Sequence, residues 1–154
     1  MEVNYLIVGI DPDTHKSGIA LYWKENGKRH LTLENWKFFE LYDFLYNNQE
    51  IIKYGVVEAG YLNAKSNFHD SKANARAASR IGKNVGSNHE VSRKIIEMFE
   101  YLEIPVHAVK PLKLIWGKDG KSKISHKEFV KFTGIEFKST NSEQRDSALL
   151  VWGR

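Results

Sequence analysis

The chain has 154 residues, 42% hydrophobic and 27% charged with a net charge of +4, which is the balance of one soluble globular domain and too short for two ordinary ones. Its longest apolar run, Tyr5 to Ile10, is far below the roughly 18 residues a membrane helix needs, and the N-terminus lacks the basic, apolar, small-residue order of a signal peptide, so neither spanning nor export is expected. With no cysteine, disulfides, thiolate metal sites and cysteine nucleophiles are excluded, and any metal must be held by carboxylates or by the six histidines.

Tyr5 to Asp11 is a short apolar run stopped by Asp-Pro, the pattern of a strand buried on both faces. Gly18 to Trp23 and His30 to Trp36 are apolar or alternating, and the Glu-Asn-Gly-Lys between them signals a hairpin. Three antiparallel strands are therefore expected first. Bulky residues at helical spacing from Phe38 to Tyr46 predict a helix, and Gly55 to Glu58 a brief fourth strand. Ser87 and Glu90 have the capping-box spacing, and Val91, Ile95, Met98 and Leu102 then mark one face of a helix that stops before Pro105. That face is expected to pack into the core. Val106 to Val109 reads as the fifth strand. Ser125 with Glu128 and Thr140 with Glu143 repeat the capping-box spacing and predict two further helices, the last running to the chain end. The expected fold is α/β: a mixed five-stranded sheet, three antiparallel strands then parallel ones, with helices on both faces in a single domain over 1–154.

The +4 is unevenly spread. Asn63 to Lys94 holds Lys65, Lys72, Arg76, Arg80, Lys83, Arg93 and Lys94 against two acids, a net +5. Lys110 to Lys131 holds Lys110, Lys113, Lys118, Lys121, Lys123, Lys127 and Lys131 against two acids, again +5, which leaves −6 on the remainder. Two basic segments around an acidic remainder suit a protein that grips a polyanion while keeping carboxylates free for metal; two solvated surface segments would read the same way.

Asp11 ends the first strand and Glu58 the fourth. If those strands are parallel neighbours, both carboxylates emerge at one sheet edge. Glu143 and Asp146, three apart on a helix, share a face that would bring four carboxylates together if it packs over that edge. Crowded anions of this kind call for hard divalent cations, Mg²⁺ or Mn²⁺, and Asp11, Glu58 and Asp146 should then lie within shared reach of one ion. Asp11 before Pro12 is equally a good turn residue, and Glu143 equally the second half of a capping box. Asp146, just ahead of an apolar helix face, has the fewest alternatives. None of the histidines shows metal-ligand spacing, and His15 and His126, close in sequence to the site blocks, read as surface imidazoles, with contact to phosphate or water as the alternative.

Four blocks resemble the RuvC family of Holliday-junction resolvases, within the ribonuclease H-like superfamily. Val8-Gly-Ile-Asp-Pro-Asp-Thr-His-Lys-Ser-Gly18 looks like the opening strand and turn with its metal-ligand Asp, although Asp13 stands where Gly is usual. Val56-Val-Glu58 looks like the second acidic strand end, with Tyr61 where that family has an aromatic residue near the junction crossover. Gly117-Lys-Asp-Gly-Lys-Ser-Lys123 resembles the loop whose lysines act at the scissile phosphate, with Lys121 and Lys123 as the matches. Glu143-Gln-Arg-Asp146-Ser-Ala resembles the closing acidic helix, with Glu143 in place of Asp.

The resemblance implies a Mg²⁺-dependent endonuclease, with Mn²⁺ as the substitute ion, that cuts branched DNA. Asp11, Glu58, Glu143 and Asp146 would hold two ions, and Lys123 would stabilise charge on the phosphate. Tyr61, Lys65, Lys72, Arg76, Arg80, Lys83, Lys118 and Lys121 would contact DNA. The two-fold symmetry of a four-way junction calls for a homodimer, and the family implies a cytoplasmic protein of bacterial or phage origin. Another ribonuclease H-like nuclease, processing RNA or cutting flaps, and a junction-binding module without catalysis are the alternatives.

Overall fold

The computed structural model describes residues 4–63 and 75–154, and for residues 75–85 the backbone only. The first strand, β1 (Leu6–Asp11), alternates its side chains between two apolar layers, Ile7 toward one face and Val8 and Ile10 toward the other. It pairs antiparallel with β2 (Ser17–Glu25), which pairs antiparallel with β3 (Lys28–Trp36). Asn26 and Gly27 close that hairpin with φ of 50° and 77°, the pair of positive values that a type I′ turn needs and that Asn-Gly adopts most readily.

After helix α1 (Phe38–Asn47), strand β4 (Ile52–Glu58) runs parallel to β1, and β5 (Val106–Val109) runs parallel to β4. The sheet order is β3-β2-β1-β4-β5, so the expected succession of antiparallel and then parallel strands is what forms. Two layers cover it. Leu41 and Leu45 of α1, Ile95, Met98 and Phe99 of helix α2 (Ala75–Tyr101) and Leu102 just after it fill one face. Phe129 of helix α3 (His126–Thr133) and Ala148, Leu150 and Val151 of helix α4 (Ser142–Val151) fill the other. The apolar face expected on α2 is thus core, with Val91 packed at its margin.

Two helix starts differ from expectation. Ser87 opens no helix: α2 begins at Ala75, and Gly86, Ser87 and Asn88 are exposed positions within it. No proline interrupts this stretch, and its two glycines, Gly82 and Gly86, cost the helix only about 1 kcal/mol each. The last helix is capped one residue later than expected. Asn141 accepts from the Gln144 backbone N–H at 2.9 Å and Gln144 returns the bond to the Asn141 N–H, whereas the Thr140 hydroxyl is engaged by His126 and Arg145. Glu143 therefore does not cap, and α4 ends at Val151 rather than at the chain end. The Ser125–Glu128 box forms as expected, and Gly134 (φ 71°) closes α3. Among the described residues no helix is long and apolar enough to cross a membrane.

Candidate active site

Ile10 and Val57 are register partners, so the next residues, Asp11 and Glu58, leave the sheet side by side at the carboxyl ends of parallel strands. Asp11 also pairs across β2 with Gly18, and a Cβ at Gly18 would run into the Glu143 backbone. A Cβ at Gly9 would likewise meet the Ser147 carbonyl. These two glycines let α4 lie almost on the β1–β2 ribbon, which is how Glu143 and Asp146, far away in sequence, reach the Asp11 edge. Asp146 is 8% exposed there, a burial that a carboxylate tolerates only with a partner.

The partner is Lys123. Its Nζ lies 2.8 Å from Asp146 Oδ2 and 3.5 Å from Ser142 Oγ, and the bond to Asp146 raises the lysine above its ordinary range. Arg145 holds the incoming segment in place: Nε donates to the Ile124 carbonyl at 2.9 Å and Nη1 to the Thr140 carbonyl at 2.8 Å. His126 Nδ1 is 2.8 Å from the Thr140 hydroxyl, so this imidazole belongs to the scaffold and not to open surface. Glu128 accepts from the Gly117 and Ser125 N–H groups, and Asp119 accepts from the Lys121 N–H and the Ser122 hydroxyl. The lysine loop is therefore tied down from within.

Burial pushes the Asp11 carboxyl up to about 8, and the charges of Glu58 and Asp146 push the same way, with Glu143 adding less; Lys123 offsets them in part. Glu58 is also raised, first by burial and then by Asp146, against Lys123 and a hydrogen bond from the Leu112 backbone. All four carboxylates therefore belong to one electrostatic neighbourhood. The set is all oxygen and carries more negative charge than Lys123 balances, which fits a hard divalent cation in donor type and in charge. The spacing is another matter: among the described residues no three acidic or imidazole groups stand close enough to hold one ion. The shared reach expected of Asp11, Glu58 and Asp146 is thus not met as they lie. Uncompensated carboxylates repel, and Asp146 is turned to Lys123.

Two clefts meet at Glu58. A groove of about 570 Å³ is lined by Glu58, Asp146 and Lys123 together with Lys113 to Trp116. A smaller cleft of about 180 Å³ lies between Asp11, Glu58 and α2, lined by Asn88, His89 and Ser92. The Ser92 hydroxyl reaches the Glu58 carbonyl at 3.3 Å and so links α2 to the end of β4. No local pattern announced Ser92, His89 or Arg145; their roles depend on contacts between distant segments.

Of the expected DNA contacts, Lys118 and Lys121 are exposed on the loop before α3. Tyr61 sits in a single 3-10 turn, Gly60–Leu62, with the Arg93 guanidinium 4.5 Å above its ring and His89 edge-on at 6.3 Å. Lys65 and Lys72 lie outside the described residues, as do the side chains of Arg76, Arg80 and Lys83, whose backbone is in α2.

The sequence matches no protein-family model and no curated protein. In architecture, T. thermophilus RuvC in complex with a Holliday junction substrate superimposes with a TM-score of 0.55 over 95% of this chain and 90% of that one, at 13% identity. This chain has the ribonuclease H-like fold. A further structure of Thermus thermophilus RuvC aligns over 94% of this chain and 90% of that one, with 14% identity and a TM-score of 0.48. In this chain the parallel pair β1 and β4 presents Asp11 and Glu58 at its carboxyl end.

Proposed function

We propose that this chain is a single-domain, divalent-cation-dependent endonuclease of branched DNA, with the four-way junction as substrate and a homodimer as the working form. One observation carries the reading. Carboxylates from β1, β4 and α4 share one sheet edge, where burial first and then the charges of Glu58 and Asp146 push Asp11 up to about 8, and a lysine is built into the same edge. The shared fold with a RuvC solved on a Holliday junction supports the choice of substrate.

In this reading Asp11, Glu58, Glu143 and Asp146 hold Mg²⁺ or Mn²⁺, two ions per site. When bound, such ions supply an activated water and stabilise the leaving oxygen of the phosphodiester. Asp146 keeps Lys123 at the edge, where its ammonium meets the negative charge that grows on the phosphate. Arg145 and Glu128 fix the loop so that this charge is in place beforehand. Lys118 and Lys121, exposed on the same loop, follow the phosphate backbone, and the basic stretch from Lys65 through Lys83 serves a second arm. Two copies related by a two-fold axis would place one site on each of two opposed strands.

The test compares synthetic four-way junction, linear duplex, flap and RNA:DNA hybrid with Mg²⁺, with Mn²⁺ and with chelator. Paired symmetric nicks in the junction alone, and only with cation, are expected. Faster cutting of hybrid or flap would replace this reading with another nuclease of the same fold. That no closed three-ligand set stands among the described residues favours one second reading, a junction-binding module without catalysis. Tight junction binding with no cutting in either metal would establish it.

A further inference from the structure

The groove beside the acidic edge is lined in part by large apolar side chains that stand exposed among the described residues. Leu114 is 54% exposed and Ile115 63%, consecutive in a segment without regular structure. Their neighbours are anchored. Leu112 packs against the α3–α4 core layer and its backbone bonds Glu58. Trp116 exchanges backbone hydrogen bonds with Ser122 at 2.9 and 2.8 Å, and its ring meets Phe132 edge-on. The two exposed residues are thus the tip of a loop held at both ends, not a frayed stretch.

Two adjacent large aliphatic side chains in water forgo the stabilisation that burial would give, and here they line the same groove as Glu58, Asp146 and Lys123. The surroundings specify the occupant. Lys113 precedes them, Lys123 lines the same groove, and Lys118 and Lys121 are exposed on the continuing loop. A ligand that is anionic along one edge and flat and apolar on its face satisfies both the lysines and the aliphatic side chains, and a nucleotide lifted out of its stack is such a ligand. Tyr61, the aromatic residue the sequence offers for stacking, has Arg93 over its ring, whereas Leu114 and Ile115 have no such cover among the described residues.

We propose that Leu114 and Ile115 form an aliphatic wedge that unstacks a nucleotide next to the scissile phosphate and seats its base in this groove. The proposal rests on the junction-cutting reading above and adds to it how the strand is opened. Aliphatic side chains inserted between base steps are a general means of unstacking and kinking nucleic acid. The wedge lies on the loop that ends in Lys123, so base and phosphate would be held by one continuous segment. The same tie through Leu112 connects the wedge to Glu58.

The probe is a four-way junction carrying 2-aminopurine at the branch, whose fluorescence rises when the base is unstacked. Binding is measured with chelator present and cutting afterwards with Mg²⁺. Wild type should raise the fluorescence. The Leu114→Ser/Ile115→Ser variant should bind the junction with nearly unchanged affinity, lose the rise, and cut roughly tenfold more slowly. The Leu114→Met/Ile115→Met variant keeps the apolar volume and should restore both signals. An undiminished rise in the serine variant overturns the wedge while leaving the nuclease reading intact. Conversion of a wild-type dimer to monomer by the serine variant overturns it in favour of a protein interface. A wild type that binds no junction overturns the nuclease reading and the wedge with it.

Discussion

The acidic edge has two halves that solve the same problem differently. Asp146, on α4, is the more buried carboxylate and carries its own counter-charge, Lys123 at 2.8 Å. Asp11 and Glu58, at the ends of β1 and β4, have no such partner at hydrogen-bond distance among the described residues, and their carboxyls are raised instead. One half is balanced by a lysine, and the other is shifted toward its protonated form. Protons can be exchanged for a metal ion at little structural cost, so the strand half is where a cation should enter and where pH should act. The helix half is where geometry should be unforgiving.

The largest effect should come from Asp11→Asn. Losing a metal-holding carboxylate removes several kcal/mol of transition-state stabilisation, roughly a thousandfold or more in cutting rate, while junction binding measured with chelator stays near wild type. Gel assays of cutting and of binding on the same preparation separate the two. If cutting persists, the strand half is not the reacting half.

Gly18→Ala tests the helix half. The added Cβ would meet the Glu143 backbone, so α4 must shift off the hairpin, at roughly 3 kcal/mol of stability. Denaturant melts would show the loss, and cutting should fall beyond what the melt explains because Asp146 moves with the helix. A variant as stable and active as wild type would mean that the close approach does not position the site.

The protonated half predicts an unusual pH dependence of the metal-free protein. Asp11 titrates near 4 when unfolded and at about 8 when folded, so between those values the folded state holds more protons. Stability should therefore fall as pH rises from about 4 to about 8, and Glu58 acts in the same direction. Thermal melts in chelator should show the decline, with each kcal/mol worth roughly 2–4 °C for a chain of this size. Asp11→Asn should flatten the slope and be the more stable protein at pH 8. Mg²⁺ should raise Tm more at pH 8 than at pH 6. A stability that rises through this window would contradict the raised carboxyls.

The smallest effect concerns the exposed cations. Lys118→Ala and Lys121→Ala should each weaken junction binding modestly and reduce the salt slope by about one. Salt titrations of binding check this, and unchanged slopes would remove that loop from the DNA path.

Much of the fold was written locally. The apolar run ending at Asp11, the Asn-Gly turn and the Ser125–Glu128 box each depend on near neighbours, and each forms as their pattern says. The start of α2 was hidden because its first turns carry basic and small residues with no apolar period, while Ser87 and Glu90 imitate a cap inside the helix. Thr140 and Asn141 are adjacent cap formers, and only the fold, by placing His126 and Arg145 on Thr140, decides between them. That one-residue shift frees Glu143 from capping. The gathering of Asp11, Glu58 and Asp146 followed from strand ends and helix spacing, but the ion pair that turns Asp146 to Lys123 joins segments 23 residues apart and has no local signature. Exposure of Leu114 and Ile115 was equally illegible, since alternation and period say nothing of an irregular segment.

The central claim is that the acidic edge is a cation site kept in waiting by protons on its strand half. Calorimetric titration of the chelator-free protein with Mg²⁺ at pH 7, repeated in buffers of different ionisation enthalpy, tests it directly. The account predicts saturable binding accompanied by proton release, with Asp11→Asn losing most of both. Absence of binding, or binding with no proton released and no response to Asp11→Asn, would contradict it.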